Sequence, residues 1–239
     1  MSAKIIFITG TDTGAGKTVL TALALCHLQF QGKRAAALKP FCSGTWEDTD
    51  LLRSLHQPPL LRSEVTRWFF KAPIAPRVAA RREGLSISLH DALAEITRSA
   101  VGLDYLLVEG AGGLLTPLGD NFNLLNLIQE LADEVLIAAR NKLGVINHAL
   151  LTIDQLQISG IRHWKLALMG DGLDQSSETN FEALAECLNG DSTRLYQISE
   201  LDGFGIASAA NYAKLSNWSM ETLLMRKSRG SFLDKQKGL

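Results

Sequence analysis

The sequence predicts an α/β fold in which a mostly parallel, doubly wound sheet is flanked by helices. Two observations predict it. Short apolar runs rich in β-branched residues alternate along the chain with longer segments of helical periodicity. Some runs, such as Leu106 to Val108, are apolar at every position, which is typical of parallel strands that are buried on both faces. Ligands are then expected at the carboxyl ends of the strands.

The individual elements follow from these two patterns. The apolar runs predict strands at Ile5 to Thr9, Ala35 to Lys39, Tyr105 to Glu109, Glu134 to Ala138 and Lys165 to Met169. The helical periodicity predicts helices at Lys17 to Gln31, Asp48 to Leu55, Ser88 to Ala100, Leu124 to Leu131, Val145 to Ser159 and Glu178 to Leu188. The stretch Ala72 to Pro76 looks like a loop rather than a linker, so we predict one domain over residues 1–225. Residues 226–239 hold five Lys or Arg and one Asp, which predicts a solvated basic tail that need not fold.

Composition excludes several classes of protein. With 46% hydrophobic and 21% charged residues in 239, the chain can build a sizeable core, unlike disordered or collagen-like chains. A net charge of −1 gives no global basic surface for nucleic acid. The cysteines, Cys26, Cys42 and Cys187, form neither a disulfide framework nor a CxxC metal pair. No apolar run approaches a membrane span of roughly 20 residues, and no signal peptide is evident, so we expect a cytoplasmic protein without membrane contact.

The strongest motif lies between the first predicted strand and the first predicted helix. It reads GTDTGAGKT, from Gly10 to Thr18. Small residues let backbone N–H groups converge on phosphate oxygens, and the helix N-terminus adds positive potential. Lys17 then reaches the β- and γ-phosphates, and the Thr18 hydroxyl can ligate Mg²⁺. The motif predicts a phosphate loop (P-loop), whose nucleotide contacts would be Gly14, Ala15, Gly16, Lys17, Thr18 and Val19.

A second motif, KPFCSG, follows the second predicted strand on the same edge of the sheet. Lys39 and Ser43 should therefore project beside the γ-phosphate. A lysine there supplies positive charge to a transferring phosphoryl group or an anionic acceptor, and the Ser43 hydroxyl adds a hydrogen bond. The competing interpretation of Lys39 is a solvated surface charge. Cys42 is expected to be a small packing residue, because no histidine lies near it in the sequence.

Three carboxylates are candidates for a metal site. Asp48 and Asp50 stand at the start of a predicted helix, where they can simply cap it, or one of them, Asp50 by preference, can hold Mg²⁺ together with Thr18. Glu109 ends the most apolar strand, where core packing gives no reason for a glutamate, so we predict a metal ligand. The residues Glu109, Gly110, Ala111 and Gly112 are also predicted to contact the nucleotide.

The segment from Lys142 to Ala149 reads as a turn that opens a helix. The free N–H groups of such a turn form an anion site. His148 within it is expected to pack or hydrogen-bond structurally, because no carboxylate partner is evident.

Taken in order, these segments resemble the dethiobiotin synthetases of biotin biosynthesis, from about Ile5 to Ile161. The similarity rests on GTDTGAGKT, KPFCSG, FKAPIAP, VEGAGGLLTPL and KLGVINHALLT. Their occurrence together in this order is more specific than any single motif. The resemblance implies a P-loop NTPase type of fold and the ATP- and Mg²⁺-dependent closure of a ureido ring from 7,8-diaminononanoate and CO₂.

The resemblance also implies roles for individual residues. Those matching the groups around a carbamate intermediate and the γ-phosphate are Thr13, Lys17, Lys39 and Ser43. Those matching the Mg²⁺ ligands are Thr18, Asp50 and Glu109. Members of the family are homodimers with the substrate at the subunit interface. The substrate is expected to meet Ser43 and, through its carboxylate, the helix start at Gly144, Val145 and Asn147.

The resemblance weakens after Ile161. The family has an Asn and a Pro-containing turn beside the nucleotide base, whereas this chain has Gly170-Asp171 and, later, residues 198–201 reading ISEL. Asp171 can accept a hydrogen bond from the exocyclic amine of adenine or cytosine. ATP is therefore the expected co-substrate, with relaxed base selectivity as an open alternative.

Three other functions stay open at this point. A regulatory or partitioning P-loop ATPase is disfavoured by Asp12, which stands five positions before Lys17, where some ATPases that act on macromolecules carry a second lysine. A glutamine-using amide synthetase would need a further domain, for which 239 residues leave no room. A paralogue that only binds nucleotide is disfavoured because Lys17, Thr18, Lys39, Asp50 and Glu109 are all present.

Overall fold

The computed structural model describes residues 2–170, 174–198 and 224. Its strands are β1 (Lys4–Gly10), β2 (Ala35–Leu38), β3 (Phe41–Ser43), β4 (Trp68–Phe70), β5 (Tyr105–Gly113), β6 (Pro117–Gly119), β7 (Phe122–Asn123), β8 (Glu134–Arg140), β9 (Trp164–Met169) and β10 (Leu195–Ile198). Its helices are α1 (Lys17–Phe30), α2 (Glu47–Ser54), α3 (Arg62–Val65), α4 (Pro76–Arg82), α5 (Leu89–Ser99), α6 (Leu124–Leu131), α7 (Val145–Ile158) and α8 (Asn180–Cys187), with short 3-10 helices at Gln175–Glu178 and Ser192–Arg194.

The main sheet contains six strands in the order β10-β9-β8-β1-β5-β2, and all its pairs are parallel. Strands β5 and β2 lie on one side of β1 in the sheet, and β8, β9 and β10 lie on the other side. A crevice opens at the carboxyl ends of the strands where such a sheet changes direction, and ligands bind there in open α/β folds. The predicted mostly parallel sheet is confirmed.

Two apolar layers cover the two faces of the sheet. Successive residues of β1 point to opposite faces, so Phe7 packs in one layer while Ile6 and Ile8 pack in the other. The layer around Phe7 is completed by helices α4 to α8, and the layer around Ile6 by α1, α2 and α3. All three of these β1 side chains are fully buried. Burial on both faces explains why the strands read as continuous apolar runs.

The predicted strands and helices are all present, with small differences at their ends. The largest difference is in β5, which continues through the glycines to Gly113. Lys39 follows β2 rather than ending it. The stretch Ala72 to Pro76 is a loop until Pro76, which begins α4; proline fits there because the first helical residue needs no N–H partner.

Several short elements carried no signal in the sequence. They are β3, β4, β6, β7, β10, α3 and α4. None of the helices in the described part of the chain is long and apolar enough to cross a membrane. The predicted tail over 226–239 lies outside the described residues, and the single domain over residues 1–225 stays a prediction.

Candidate active site

The P-loop connects β1 to α1 at the centre of the sheet edge. Gly16 precedes α1 with a φ of 94°, a conformation that side chains with a Cβ disfavour. A Cβ at this position would also lie 2.9 Å from Cγ of Met169. Only glycine therefore fits at position 16 without strain. Lys17 folds back over the loop, and its Nζ donates a hydrogen bond to the backbone oxygen of Asp12 at 3.0 Å.

Four polar side chains meet beside this loop. Oε1 of Glu109 accepts hydrogen bonds from Nζ of Lys39 at 2.6 Å and from Oγ1 of Thr18 at 2.7 Å. Lys39 also forms an ion pair with Asp48. Glu109 comes from β5, Lys39 from the end of β2, Thr18 from α1 and Asp48 from α2. The parallel sheet thus brings residues from four separate elements to one edge.

The charges at this edge hold one another in their ionised forms. Burial disfavours the charged form of Lys39, but Glu109 and Asp48 outweigh it and raise the pKa of Lys39. Burial would likewise raise the pKa of Asp48, yet Lys39 holds that pKa below its ordinary value. Burial lowers the pKa of Lys17, with Glu109 opposing it. Lys39 and Asp48 are therefore an ammonium and a carboxylate at neutral pH.

A cavity of about 690 Å³ is lined by Lys17, Thr18, Lys39 and Asp48, whereas Glu109, whose side chain is fully buried, is not part of its lining. The predicted site residues that line it are Thr13, Gly14, Gly16, Lys17, Thr18, Val19, Lys39, Ser43, Ala111 and Gly112. Its volume is in the range of pockets that hold small-molecule ligands. Within the described chain, two buried oxygens of this site lack a hydrogen-bond partner, namely Oγ of Ser43 and Oε2 of Glu109. Because unpaired buried oxygens are costly, they indicate that the site is built to receive a ligand.

The structure places Asp48, rather than the preferred candidate Asp50, at the cavity. Asp48 lines the cavity and contacts Lys39, whereas Asp50 points away from it and pairs with two arginines. Helical spacing contains the signal that would have found this. Asp48 shares a face with Leu52, four residues on, which is buried, while Asp50 shares one with Arg53, three residues on.

Other predicted residues lie away from the cavity. Ala15 and Gly110 are buried beneath its wall; a Cβ on Gly110 would lie 2.2 Å from Leu124. Gly144, Val145 and Asn147 stand at the start of α7, on the same edge of the sheet but not in the cavity lining. Asp171, which is predicted to contact the nucleotide base, lies outside the described part of the chain, so its role stays a prediction.

Some lining residues were missed by sequence reasoning. Thr45 lines the cavity without any sequence signal, and Thr116, which also lines it, lies within VEGAGGLLTPL but was not singled out. The wall formed by residues 73–76 belongs to FKAPIAP, a stretch that was recognised only as part of a resemblance. Cys42 also lines the cavity; its Sγ donates to the backbone oxygen of Thr45 at 3.2 Å, and burial raises the pKa of this thiol.

A second cavity, of about 390 Å³, lies on the other side of the P-loop. Asp12, Leu115, His148 and Leu151 are among the residues that line it. Leu115 and Leu151 keep 55% and 60% of their surfaces exposed. His148 is exposed and projects from the first turn of α7.

Comparison with known proteins agrees with these features. A family model described as an AAA domain matches residues 4–198. The ATP-dependent dethiobiotin synthetase BioD of Bacillus subtilis (strain 168) is 34% identical over 185 residues, which cover 74% of this chain and 80% of that protein. The synthetase of the same name from Nitrosospira multiformis is 38% identical over 165 residues, covering 66% and 72% of the two chains.

Solved structures show the same fold at lower identity. ParA of pNOB8 bound to nonspecific DNA has a TM-score of 0.56 and 13% identity, covering 92% of this chain and 95% of that one. MinD of Aquifex aeolicus has a TM-score of 0.54 and 18% identity, with the same coverage of both chains. These two confirm a P-loop NTPase type of fold and nothing further. Because the curated synthetases are more than 30% identical over most of their length, this chain belongs to the family of ATP-dependent dethiobiotin synthetases, which are ligases.

Proposed function

We propose that this chain closes the ureido ring of dethiobiotin from 7,8-diaminononanoate, CO₂ and ATP, with ADP and phosphate as the other products. The observation that carries the proposal is the convergence of Lys17, Lys39 and the unpaired hydroxyl of Ser43 on one cavity beside the P-loop. Two cations and a hydroxyl suit a site where an anionic acceptor meets a γ-phosphate. Membership of the synthetase family supports the same reaction.

The reaction needs no nucleophile from the protein. One amine of the substrate adds to CO₂ and loses a proton, which gives a carbamate. A carbamate oxygen then takes the γ-phosphoryl group of ATP, and ADP leaves. The second amine attacks the carbon of this mixed anhydride, phosphate leaves, and the nitrogen loses a proton. Each step either creates or moves negative charge, so the protein must chiefly supply positive charge and hydrogen-bond donors.

The side chains of the cavity divide this work. Lys17, at the start of α1, is suited to the phosphoryl oxygens, together with the backbone N–H groups of the P-loop. Lys39, which follows β2, lines the same cavity and is suited to the carbamate as it receives the phosphoryl group. The hydroxyls of Thr13 and Ser43 are suited to orient the carbamate. Orientation matters because a displaced acceptor loses much of the advantage of being bound.

The residues present also fit Mg²⁺. Thr18, Asp48 and Glu109 offer hard oxygen donors, and Oε2 of Glu109 is buried without a partner in the described chain. Among the described residues, no group of three or more His, Cys, Asp or Glu could hold a metal by itself. This suits Mg²⁺, which takes one or two carboxylates and fills the rest of its shell with water and phosphate oxygens. When bound, Mg²⁺ neutralises charge on the phosphates of ATP.

We also propose that the chain acts as a homodimer. Gly144, Val145 and Asn147 do not line the 690 Å³ cavity of their own chain, although a helix start is a fitting site for the substrate carboxylate. Leu115, with 55% of its surface exposed, and Leu151, with 60%, would be covered by a second copy. A pocket shared by two subunits would bring the helix start of one chain to the cavity of the other.

The direct test is an assay with purified protein. The protein is incubated with Mg²⁺-ATP, ¹³C-bicarbonate and the diamine, and the products are analysed by mass spectrometry. We expect a ureido product that carries the label, with ADP formed in equal amount. ATP hydrolysis that does not depend on the diamine, with no labelled product, would rule out the proposed synthetase reaction.

A further inference from the structure

Helix α2 directs two carboxylates from its first turn to opposite sides. Asp48 faces the cavity and Asp50 faces away from it. The helix has only eight residues, and its N-cap residue, Trp46, makes no side-chain hydrogen bond to it. Its start is therefore not held by the usual cap. The ion pair with Lys39 holds the carboxylate of Asp48 on the cavity side, and further contacts hold the first turn of the helix that carries it.

Those contacts lie on the outer side of α2. The carboxylate of Asp50 accepts hydrogen bonds on both oxygens from Arg62: 2.8 Å from Nε to Oδ1 and 2.6 Å from Nη2 to Oδ2. Nε of Arg53 donates to the same Oδ1 at 2.9 Å. Asp50 thus accepts three hydrogen bonds from two guanidinium groups.

The flat face of the Arg62 guanidinium also contacts an aromatic ring. It lies 4.8 Å from the ring centre of Trp46, and Trp46 stacks on Phe69 with ring centres 3.6 Å apart and planes 11° apart. We call Trp46, Asp50, Arg53, Arg62 and Phe69 the outer brace. It ties the start of α2 to the segment from Arg62 to Phe70 through Asp50 and through Trp46. The hydroxyls of Thr49 and Thr66, buried and 2.7 Å apart, connect the same two segments.

We propose that the outer brace is a positioning device that holds the carboxylate of Asp48 in the direction needed for the metal. This rests on the proposed function, in which Asp48 is a metal ligand. Asp48 and Asp50 are two residues apart on one short helix, so a rotation of its first turn would move both carboxylates together. Arg62 is suited to this task because one guanidinium can fork onto a carboxylate and stack on an aromatic ring, which a lysine cannot do.

The brace should contribute more to geometry than to stability. The side chains of Asp50 and Arg62 are 36% and 48% exposed, and ion pairs at that exposure add little to the free energy of unfolding. A second pair of the same kind offers a matched control. Arg34 forks onto Asp104 through Nη2 at 2.7 Å and Nε at 3.3 Å, at the opposite end of the sheet.

The test measures metal binding directly. Mn²⁺ is titrated into the protein saturated with a non-hydrolysable ATP analogue, and free Mn²⁺ is followed by electron paramagnetic resonance. Arg62→Ala and Asp50→Ala should each weaken Mn²⁺ binding by about tenfold, the low end of the cost of losing a residue that orients a metal ligand. The double variant should lose no more than either single variant, because both remove the same brace. Arg34→Ala should bind Mn²⁺ like the wild type.

Two further variants separate the outcomes. Arg62→Lys keeps the charge but neither the fork nor the flat face, so it should show the same loss, and it replaces Arg62→Ala if that variant fails to fold. Asp48→Asn should weaken Mn²⁺ binding most. If Asp48→Asn weakens binding while the brace variants match Arg34→Ala, the brace has no positioning role. If Asp48→Asn also leaves binding unchanged, the metal assignment itself is wrong and the brace proposal falls with it.

Discussion

Lys39 is the residue whose charge matters most to the proposed reaction. Its ammonium is buried between Asp48 and Glu109, and it lines the cavity beside the P-loop. In Lys39→Met the side chain keeps its length but loses its charge. We expect the chemical step to slow by about 100-fold, as for other lost donors to a charged transition state. Nucleotide affinity should change little, because the P-loop and Lys17 remain.

Single-turnover kinetics and calorimetric binding of nucleotide measure these two effects separately. Lys33→Met, which removes an exposed lysine at the far end of the sheet, is the control and should leave both quantities unchanged. A Lys39→Met variant with the wild-type rate for the chemical step would show that Lys39 only balances the charge of Asp48 and Glu109.

At the residue scale, the sequence could predict which residue types reach the site, but not always which of two residues of the same type. The P-loop and Lys39 could be predicted because each follows a strand directly, and the ends of parallel strands meet. Asp48 and Asp50 are both acidic and both near a helix start, so motif position alone does not separate them. What separates them is the rotation of α2, which buries Leu52 on the side of Asp48 and lets Asp50 accept from Arg62, twelve residues further on.

At the scale of elements, His56 joins the end of α2 to β2. Its Nδ1 lies 3.0 Å from the backbone oxygen of Leu52, and its Nε2 accepts from the backbone N–H of Ala37 at 3.4 Å. This pairing assigns a neutral ring with its proton on Nδ1. Protonation of the ring would place a second proton on Nε2, where it would face the N–H of Ala37, which is also a donor. Burial accordingly lowers the pKa of His56 from its ordinary value of 6.5.

The lowered pKa of His56 predicts a pH dependence of stability. Below pH 6.5 the unfolded chain binds a proton at this histidine that the folded chain resists, so the free energy of unfolding falls as the pH drops through 6.5. Above that pH His56 is neutral in both the folded and the unfolded chain, so its contribution to the free energy of unfolding is fully present. His56→Gln should therefore show a shallower loss of stability on acidification than the wild type, by at most about 1.4 kcal/mol per pH unit, the slope for one proton.

Urea denaturation at a series of pH values checks this prediction. His90→Gln serves as the control for the substitution itself, because the side chain of His90 is 91% exposed. An acid slope in His56→Gln equal to that of the wild type would mean that His56 takes up its proton as easily in the folded chain as in the unfolded one.

The elements that could be predicted belong to the main sheet or to the helices that cover it, although β10 and α4, which also belong there, carried no signal. Strands such as β8 are apolar at nearly every position because helices cover both faces, and that pattern is strong. β3 and β4 have three residues each and pair only with one another, so their sequences carry too few positions for a period of two to be recognised. Yet they position Ser43 and the outer brace, so part of the site rests on elements without a sequence signal.

At the scale of the whole molecule, the proposed dimer makes each site depend on two chains. In one chain the cavity holds Lys39, while the start of α7, at Gly144, lies outside its lining. The cavity and the start of α7 can therefore be disabled by separate substitutions. Gly144→Asp places a negative charge where the substrate carboxylate is expected. No atom lies within 4 Å of a Cβ at Gly144, and aspartate tolerates the positive φ of 92° better than most residues, so the fold should survive.

Mixing two inactive variants tests this sharing of sites. Lys39→Met and Gly144→Asp should each have little activity alone. If the chains exchange, half of the dimers in an equal mixture are mixed, and each mixed dimer holds one intact site, so about a quarter of the wild-type activity should return. Gly144→Asn, which has the same shape without the charge, should stay active and shows that the charge is responsible. Light scattering should give the mass of two chains for every variant. If a mixture of exchanged dimers stays inactive, the start of α7 serves the cavity of its own chain and the shared pocket is wrong.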